Sequence, residues 1–290
     1  MSADVSERSA RRIRSPWIRS AVTGLVTGVA TLAVLLLAWQ LAITFTNVSP
    51  YLTKSPLDVW NYLFVDGTFK PETAAERRAA LAPMIGVTLY HAGIGLLFGV
   101  SLGLIGAVVM SVSRTLRATF LPLALVLQTV PLIAMAPVIY AVLGSGVVTA
   151  AAIAGIVTFF PLLMNLSTGL GAASPETVDL VHAYGGGRVQ LLFRVQLPAA
   201  LPYLFAGLKI AAPATISAAT LYEFLFSFEG LGANLLTSKS YSDYGLLWTL
   251  VVVTIALALA AYGLVLLVER LVLAGRFPPE SALARRGGIR

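Results

Sequence analysis

Hydrophobic and polar positions along this chain are sorted into long blocks. Six apolar runs, at residues 21–46, 84–112, 118–143, 147–170, 202–227 and 245–273, are separated by short polar or glycine-broken connections. About 20 apolar residues suffice to cross a bilayer as a helix. Hydrocarbon tolerates only helices and closed barrels, because every backbone polar group must be satisfied internally. The pattern therefore predicts an all-α polytopic membrane protein with six transmembrane helices. The first run carries no charge and exceeds the roughly 7–15 apolar residues of a signal peptide, so it reads as a retained helix, although a cleaved leader is the alternative. Residues 1–20 form a basic tail, 47–83 an extramembrane loop with a short helix at 56–64, 228–244 a polar loop, and 274–290 a second basic tail. Residues 84–273 make up the core, interrupted by a polar loop at 174–200.

Composition agrees. Of 290 residues 58% are hydrophobic and 11% charged, against about 25% charged in an average soluble domain. The net charge of +7 matters through its placement. Fifteen of the twenty Lys and Arg lie in the N-terminal tail, the Arg114/Arg117 turn, the 175–209 stretch and the C-terminal end. The opposite loops hold Lys54, Lys70, Arg77, Arg78 and Lys239. Cytoplasmic loops are the ones enriched in Lys and Arg, so both termini are expected in the cytoplasm. Topology thus accounts for the basic charge, and no basic stripe with interleaved aromatics remains to suggest nucleic acid. The chain has no cysteine, which removes disulfides and thiolate chemistry together.

Catalytic motifs are absent. The histidines are His91 and His182, in no metal-binding pattern, and no serine sits in a G-x-S-x-G context. An enzyme is not expected. No G-x-x-x-x-G-K-[ST] phosphate loop occurs, so active transport would need nucleotide hydrolysis on another polypeptide. Glu223, in the fifth run, is the candidate intramembrane charge. It is either functional or capped locally near an interface, where Ser227 and Glu229 follow. Lys209 is expected to snorkel toward the nearer surface. Prolines at 122, 131, 137, 161 and 213 free carbonyls inside the runs, and polar residues gather near them, including Gln128, Thr129, Asn165 and Ser217. Together with Tyr222 and Glu223 these are the candidate pathway residues, with interhelical hydrogen bonding the alternative for each. Small residues along the second run, Gly95, Gly99 and Gly103 among them, suit close helix packing.

The 175–209 stretch is polar between apolar neighbours. Ser174 suits an N-cap, Pro175 a first helical position and Glu176 a first-turn acid. Val178, Val181 and His182 then fall at helical offsets, and Gly185-Gly186-Gly187 breaks the helix. A second short helix, 188–195, exposes Arg188 and Arg194 beside Leu191, Leu192 and Phe193, and is expected to end at Leu197-Pro198. Such a device fits a partner's groove or a lipid surface about equally.

This stretch resembles the cytoplasmic loop of ABC importer inner-membrane permeases, whose pattern is E-A-A, three residues, G, then hydrophobic-x-L-P. Asp179 falls at the Glu position, Gly185 at the Gly, and Val195-Gln196-Leu197-Pro198 at the ending. Ala199-Ala200-Leu201-Pro202 and Ala206-Gly207-Leu208 are similar to the branch serving nitrate, sulfonates, taurine and vitamin precursors. So are residues 130–137, Phe160-Pro161, and Glu223 followed by Gly230-Leu231-Gly232, the likeness extending over about 88–273. Leu180 and Val181 replace the two alanines, and His91 stands where the branch often has Arg.

The resemblance implies a type I importer permease fold with cytoplasmic coupling helices. Asp179, His182, Gly185, Gly186, Arg188, Arg194, Leu197 and Pro198 would be ATPase-coupling residues. The implied partners are cytoplasmic ABC ATPases carrying the Mg-ATP, a second permease copy (identical or a close paralogue), a periplasmic or lipid-anchored substrate-binding protein, and the bilayer. No cofactor is expected on this chain. The rival reading is an ATP-independent channel or proton-coupled carrier using Glu223.

Overall fold

The computed structural model describes residues 16–46, 48–67 and 71–274. The remainder of the two expected tails, and Lys70, lie outside the described residues. Every described element is a helix: α1 Pro16–Phe45, α2 Pro56–Phe64, α3 Ala74–Val112, α4 Arg114–Leu127, α5 Leu132–Leu143, α6 Val147–Leu170, α7 Pro175–Ala183, α8 Arg188–Leu191, α9 Leu197–Phe226, α10 Gly230–Ser240 and α11 Tyr244–Ala274, with a π-helical turn, Leu192–Gln196, joining α8 to α9.

Three long helices, α3, α6 and α9, make the core. Glycines on α3 let α6 approach backbone to backbone. Gly95 meets Ala154, Gly99 meets Thr158 and Gly103 meets Leu162, and a Cβ on Gly99 would lie 2.5 Å from the Gly155 carbonyl. Small residues at a four-residue spacing are what close packing in lipid requires, since lipid tails offer no hydrophobic drive for association. Toward the α7 end, Leu162, Leu163, Leu166 and Leu170 fill the space between these helices with Ala107, Met110, Ala200 and Ala211. Outside this core, α11 packs on α9, while most of the described large apolar side chains of α1 are exposed.

The loop expected at 47–83 is largely helical. Ser55 and Asp58 form a capping box that starts α2, and Thr73 and Glu76 form another that starts α3 ten residues before the apolar run at 84. Arg77, 3% exposed, donates to the carbonyls of Tyr62, Val65 and Glu72 at 2.6–2.7 Å, tying the last turn of α2 to α3.

Three further expectations are corrected. The third run, 118–143, is no straight span: Thr115–Leu127 and Leu132–Leu143 meet at 100°. Pro131 has no N–H and disfavours helical dihedrals at Val130, so the helix stops there and restarts in a new direction. Among the described residues five helices are long and apolar enough to cross a membrane, or six spans if the bent pair counts as one. The segment 228–244 is no simple loop, because it contains α10, whose Gly230, Leu231, Gly232 and Ala233 are buried. Finally, the helix beginning at Arg188 does not end at Leu197-Pro198 but runs through the π turn to Phe226. The amide of Leu197 bonds to Leu192 O, five residues back. This widening relieves the clash of the Pro198 ring with the preceding turn, where a regular α-helix would break.

Candidate functional site

At the end of the bundle where α6 leaves and α9 enters, α7 stands with no buried residue. Its start is fixed locally, with Ser174 Oγ accepting the Thr177 amide at 3.3 Å and Pro175 occupying the first turn. Bonds from its own backbone and from the Ser174 side chain hold the Glu176 carboxyl below the usual range. That favourable cap is present above the ordinary glutamate pKa and is lost as pH falls through the lowered value. The helix ends in a Schellman turn, in which Gly186 N donates to Val181 O at 2.8 Å and Gly185 N to His182 O at 2.9 Å. Gly185 has φ +75°, a left-handed conformation that glycine alone adopts at little cost. Gly186 is closed to any side chain by Val181, whose Cγ1 would stand 2.5 Å from a Cβ there.

Val178 and Val181 are half-buried toward the body, whereas Asp179, Leu180, His182, Ala183 and Tyr184 face outward. Arg188, Val189, Phe193 and Arg194 extend this surface, while Leu191 and Leu192 are half-buried. Leu180, Tyr184, Val189 and Phe193 are 56%, 84%, 71% and 65% exposed, a set of apolar side chains flanked by two arginines and Asp179. Leu197 and Pro198 are half-buried in the helix that carries this surface into the membrane. Arg188, Val189, Phe193 and Arg194 are thus mounted on the first turns of a 39-residue helix, Arg188–Phe226, which α7 joins through the turn at Gly185 and Gly186.

The other end of that helix carries Glu223, which is 0% exposed. Its Oε2 accepts from Thr88 Oγ1 at 2.7 Å and from the Gly232 amide at 3.1 Å, and its Oε1 lies 2.9 Å from His91 Nδ1. Thr88 Oγ1 in turn accepts the Leu231 amide at 2.9 Å. Gly230, at φ +90°, sits directly against the carboxylate, and any β-carbon there would collide with it. The carboxylate is therefore a paired fastener between α3, α9 and α10. Tyr222 is also buried. Its hydroxyl donates to Gly146 O and accepts from Gly146 N, pinning the turn between α5 and α6, and its ring meets His91 edge-on.

The remaining candidate pathway residues scatter. Gln128 and Thr129 are exposed at the elbow between α4 and α5, lining an open cavity of about 390 Å³ with Pro131, Val157 and Pro161. Asn165 is half-buried and donates to Pro161 O at 2.8 Å, one turn back on its own helix. Ser217 is exposed beside a second, apolar cavity of about 260 Å³ with Thr254 and Tyr262. Lys209 pairs with both oxygens of Glu269 on α11 at 2.9 Å. Sequence reasoning missed Thr88, His91 and Glu269 as partners, and the one signal available was that each is polar within an apolar run.

A bundle of lipid-length helices carrying an exposed, rigidly capped helix at one end defines the class as a polytopic membrane protein. The chain belongs to the family of binding-protein-dependent transport system inner membrane components, whose pattern matches residues 95–274. It is 30% identical over 229 residues to a Haemophilus influenzae protein named "probable ABC transporter permease protein", covering 79% of this chain and 89% of that one. A riboflavin transport system permease of Chloroflexus aurantiacus is 30% identical over 83% of this chain and 87% of its own. The taurine transport system permease of Escherichia coli is 28% identical over 80% and 82%. The chain is thus the permease subunit of an ABC importer, a multi-pass inner-membrane protein that works with an ATPase and a substrate-binding protein.

Proposed function

We propose that two copies of this chain, or this chain and a close paralogue, form the pathway for a small polar or anionic solute. The relatives' names, which cover riboflavin, taurine, nitrate, formylaminopyrimidine and sulfonate transport, favour a compact solute bearing hydrogen-bonding or anionic groups. The α7 surface seats in a groove of a cytoplasmic ATPase, which binds and hydrolyses Mg-ATP. This orientation puts both termini in the cytoplasm and α2 and α10 on the outer side, where the binding protein delivers solute. The distribution of Lys and Arg supports it.

The observation that carries the reading is the continuity of Arg188–Phe226. Of the surface formed by Asp179, Leu180, His182, Tyr184, Arg188 and Arg194, the two arginines share one helical rod with the core, and the α7 residues are joined to that rod by the tight turn at Gly185 and Gly186. A displacement imposed by the ATPase therefore reaches α9 through the glycine turn after α7 and then the π turn, as rigid-body alternating access requires. Gly185 and Gly186 hold α7 at its angle to that rod. Gln128 and Thr129, at the elbow, are the polar groups best placed to meet solute.

The test is co-purification. Gly185→Val is expected to leave the permease inserted and folded but to abolish recovery of its ATPase. Gly187→Ala, at φ −83° with open space around it, should retain it. Full recovery of the ATPase with Gly185→Val would overturn the assignment of α7.

A further inference from the structure

The short helix α2 divides its surface sharply. Val59 and Tyr62 are buried and Leu63 packs with Leu81, Leu231 and Leu250, which fastens one face to the bundle. On the other face Leu57, Trp60 and Phe64 are 65%, 59% and 49% exposed. Their spacing of three and four residues places them in one stripe. Asp58 is turned into the capping box with Ser55, so this stripe presents no carboxylate. At its end the Arg78 guanidinium lies 5.3 Å from the Phe64 ring centroid, held by a 2.6 Å bond to Leu63 O.

Two observations say what covers this face. First, α2 touches α1, most of whose described large apolar side chains are exposed, as suits a helix facing lipid, so the stripe continues a lipid-facing surface. Second, aromatic residues with polar tips gather at this same end. Trp39 of α1 stacks on Trp248 of α11 at 5.6 Å, Tyr51 meets Tyr244 edge-on, Trp248 Nε1 donates to Leu52 O and Tyr51 Oη to Ser242 O. Trp and Tyr concentrate at the headgroup level of membrane proteins, where one end of the ring is apolar and the other wet. Residues flanking α2 in sequence and in space are therefore at that depth.

We infer that α2 is an interfacial anchor, its Leu57–Trp60–Phe64 stripe sunk into the boundary between headgroups and acyl chains, with Arg78 among the lipid phosphates. A nine-residue helix spans about 13 Å at 1.5 Å per residue, too short to cross but suited to lying against one leaflet. Arg77, by tying α2 to α3, would hold the start of α3 at a fixed depth.

The chain has no cysteine, so single nitroxide labels can be placed at Leu57→Cys and Phe64→Cys, with Glu72→Cys as a water-exposed control, in the full-length permease in phosphatidylethanolamine/phosphatidylglycerol nanodiscs. At 57 and 64 collisions with oxygen should exceed those with a water-soluble nickel complex several-fold, and the ratio should invert at 72. Nickel access at 57 and 64 equal to that at 72 would overturn the inference. So would shielding from both relaxers, whether in the permease alone, which would mark a second copy, or only after the substrate-binding protein is added, which would mark that partner.

Discussion

Thr88 Oγ1 stands 2.7 Å from Glu223 Oε2, although 135 residues separate them, and the same oxygen accepts the Leu231 amide at 2.9 Å. One hydroxyl thereby joins α3, α9 and α10 inside a buried polar network. Such a network is worth most when every member is satisfied and costs most when one is removed. Thr88→Val keeps the shape but leaves the Leu231 amide without an acceptor and Glu223 short of a donor. At about 1–3 kcal/mol for each buried unsatisfied group, the loss from the two should be about 2–6 kcal/mol. Thermal unfolding of the detergent-purified permease should show a clearly lowered midpoint for Thr88→Val and little change for Thr88→Ser.

Gly230 carries a second constraint on the same network, since its φ of +90° and its contact with the Glu223 carboxylate both exclude a side chain. Gly230→Ala should cost upward of about 3 kcal/mol through strain plus displacement of a buried charge. Gly263→Ala, within α11 and facing open space, should be neutral or stabilising by about 0.5–1 kcal/mol. Equal midpoints for the two variants would contradict this account.

Lys209 and Glu269 pair between α9 and α11, with side chains 26% and 16% exposed. Breaking such a pair from one side strands a charge, whereas replacing both partners by apolar groups is often tolerated. Lys209→Met should destabilise by about 1–3 kcal/mol. Adding Glu269→Leu should restore most of it, so that a double-mutant cycle in thermal unfolding shows strong coupling. Additive losses would mean that the two side chains act independently.

On α7, Leu180 and Val181 are neighbours with different duties. Leu180 is 56% exposed, while Val181 packs beneath Gly186. Leu180→Asp should weaken ATPase binding at least tenfold in a pull-down titration while leaving the permease's unfolding midpoint in place. Val181→Ala should affect binding less. The reverse ranking would move the docking surface to the other face.

Much of this architecture could be read in advance where the signal was local. The apolar runs located the long helices, Ser174-Pro175-Glu176 located the start of α7, and Gly185 its stop. What escaped reading was non-local or hidden by averaging. The 118–143 run is apolar throughout, and its hydrophobicity is blind to the 100° bend that Pro131 imposes. α10 looked like a loop because it is rich in glycine and polar residues, yet it is the smallness of Gly230, Gly232 and Ala233 that lets it bury against α9. His91 and Glu223 lie 132 residues apart, and no spacing along the chain announces such a pair.

The central claim is that movement of this permease is driven through α7 by an ATPase and not by a proton at Glu223. The direct measurement is solute uptake into proteoliposomes holding the permease with its binding protein, with and without the ATPase and Mg-ATP, and with or without an imposed proton gradient. Uptake only when ATPase and Mg-ATP are both present is the predicted result. Flux without them, or flux driven by the proton gradient and abolished by Glu223→Gln, would contradict it.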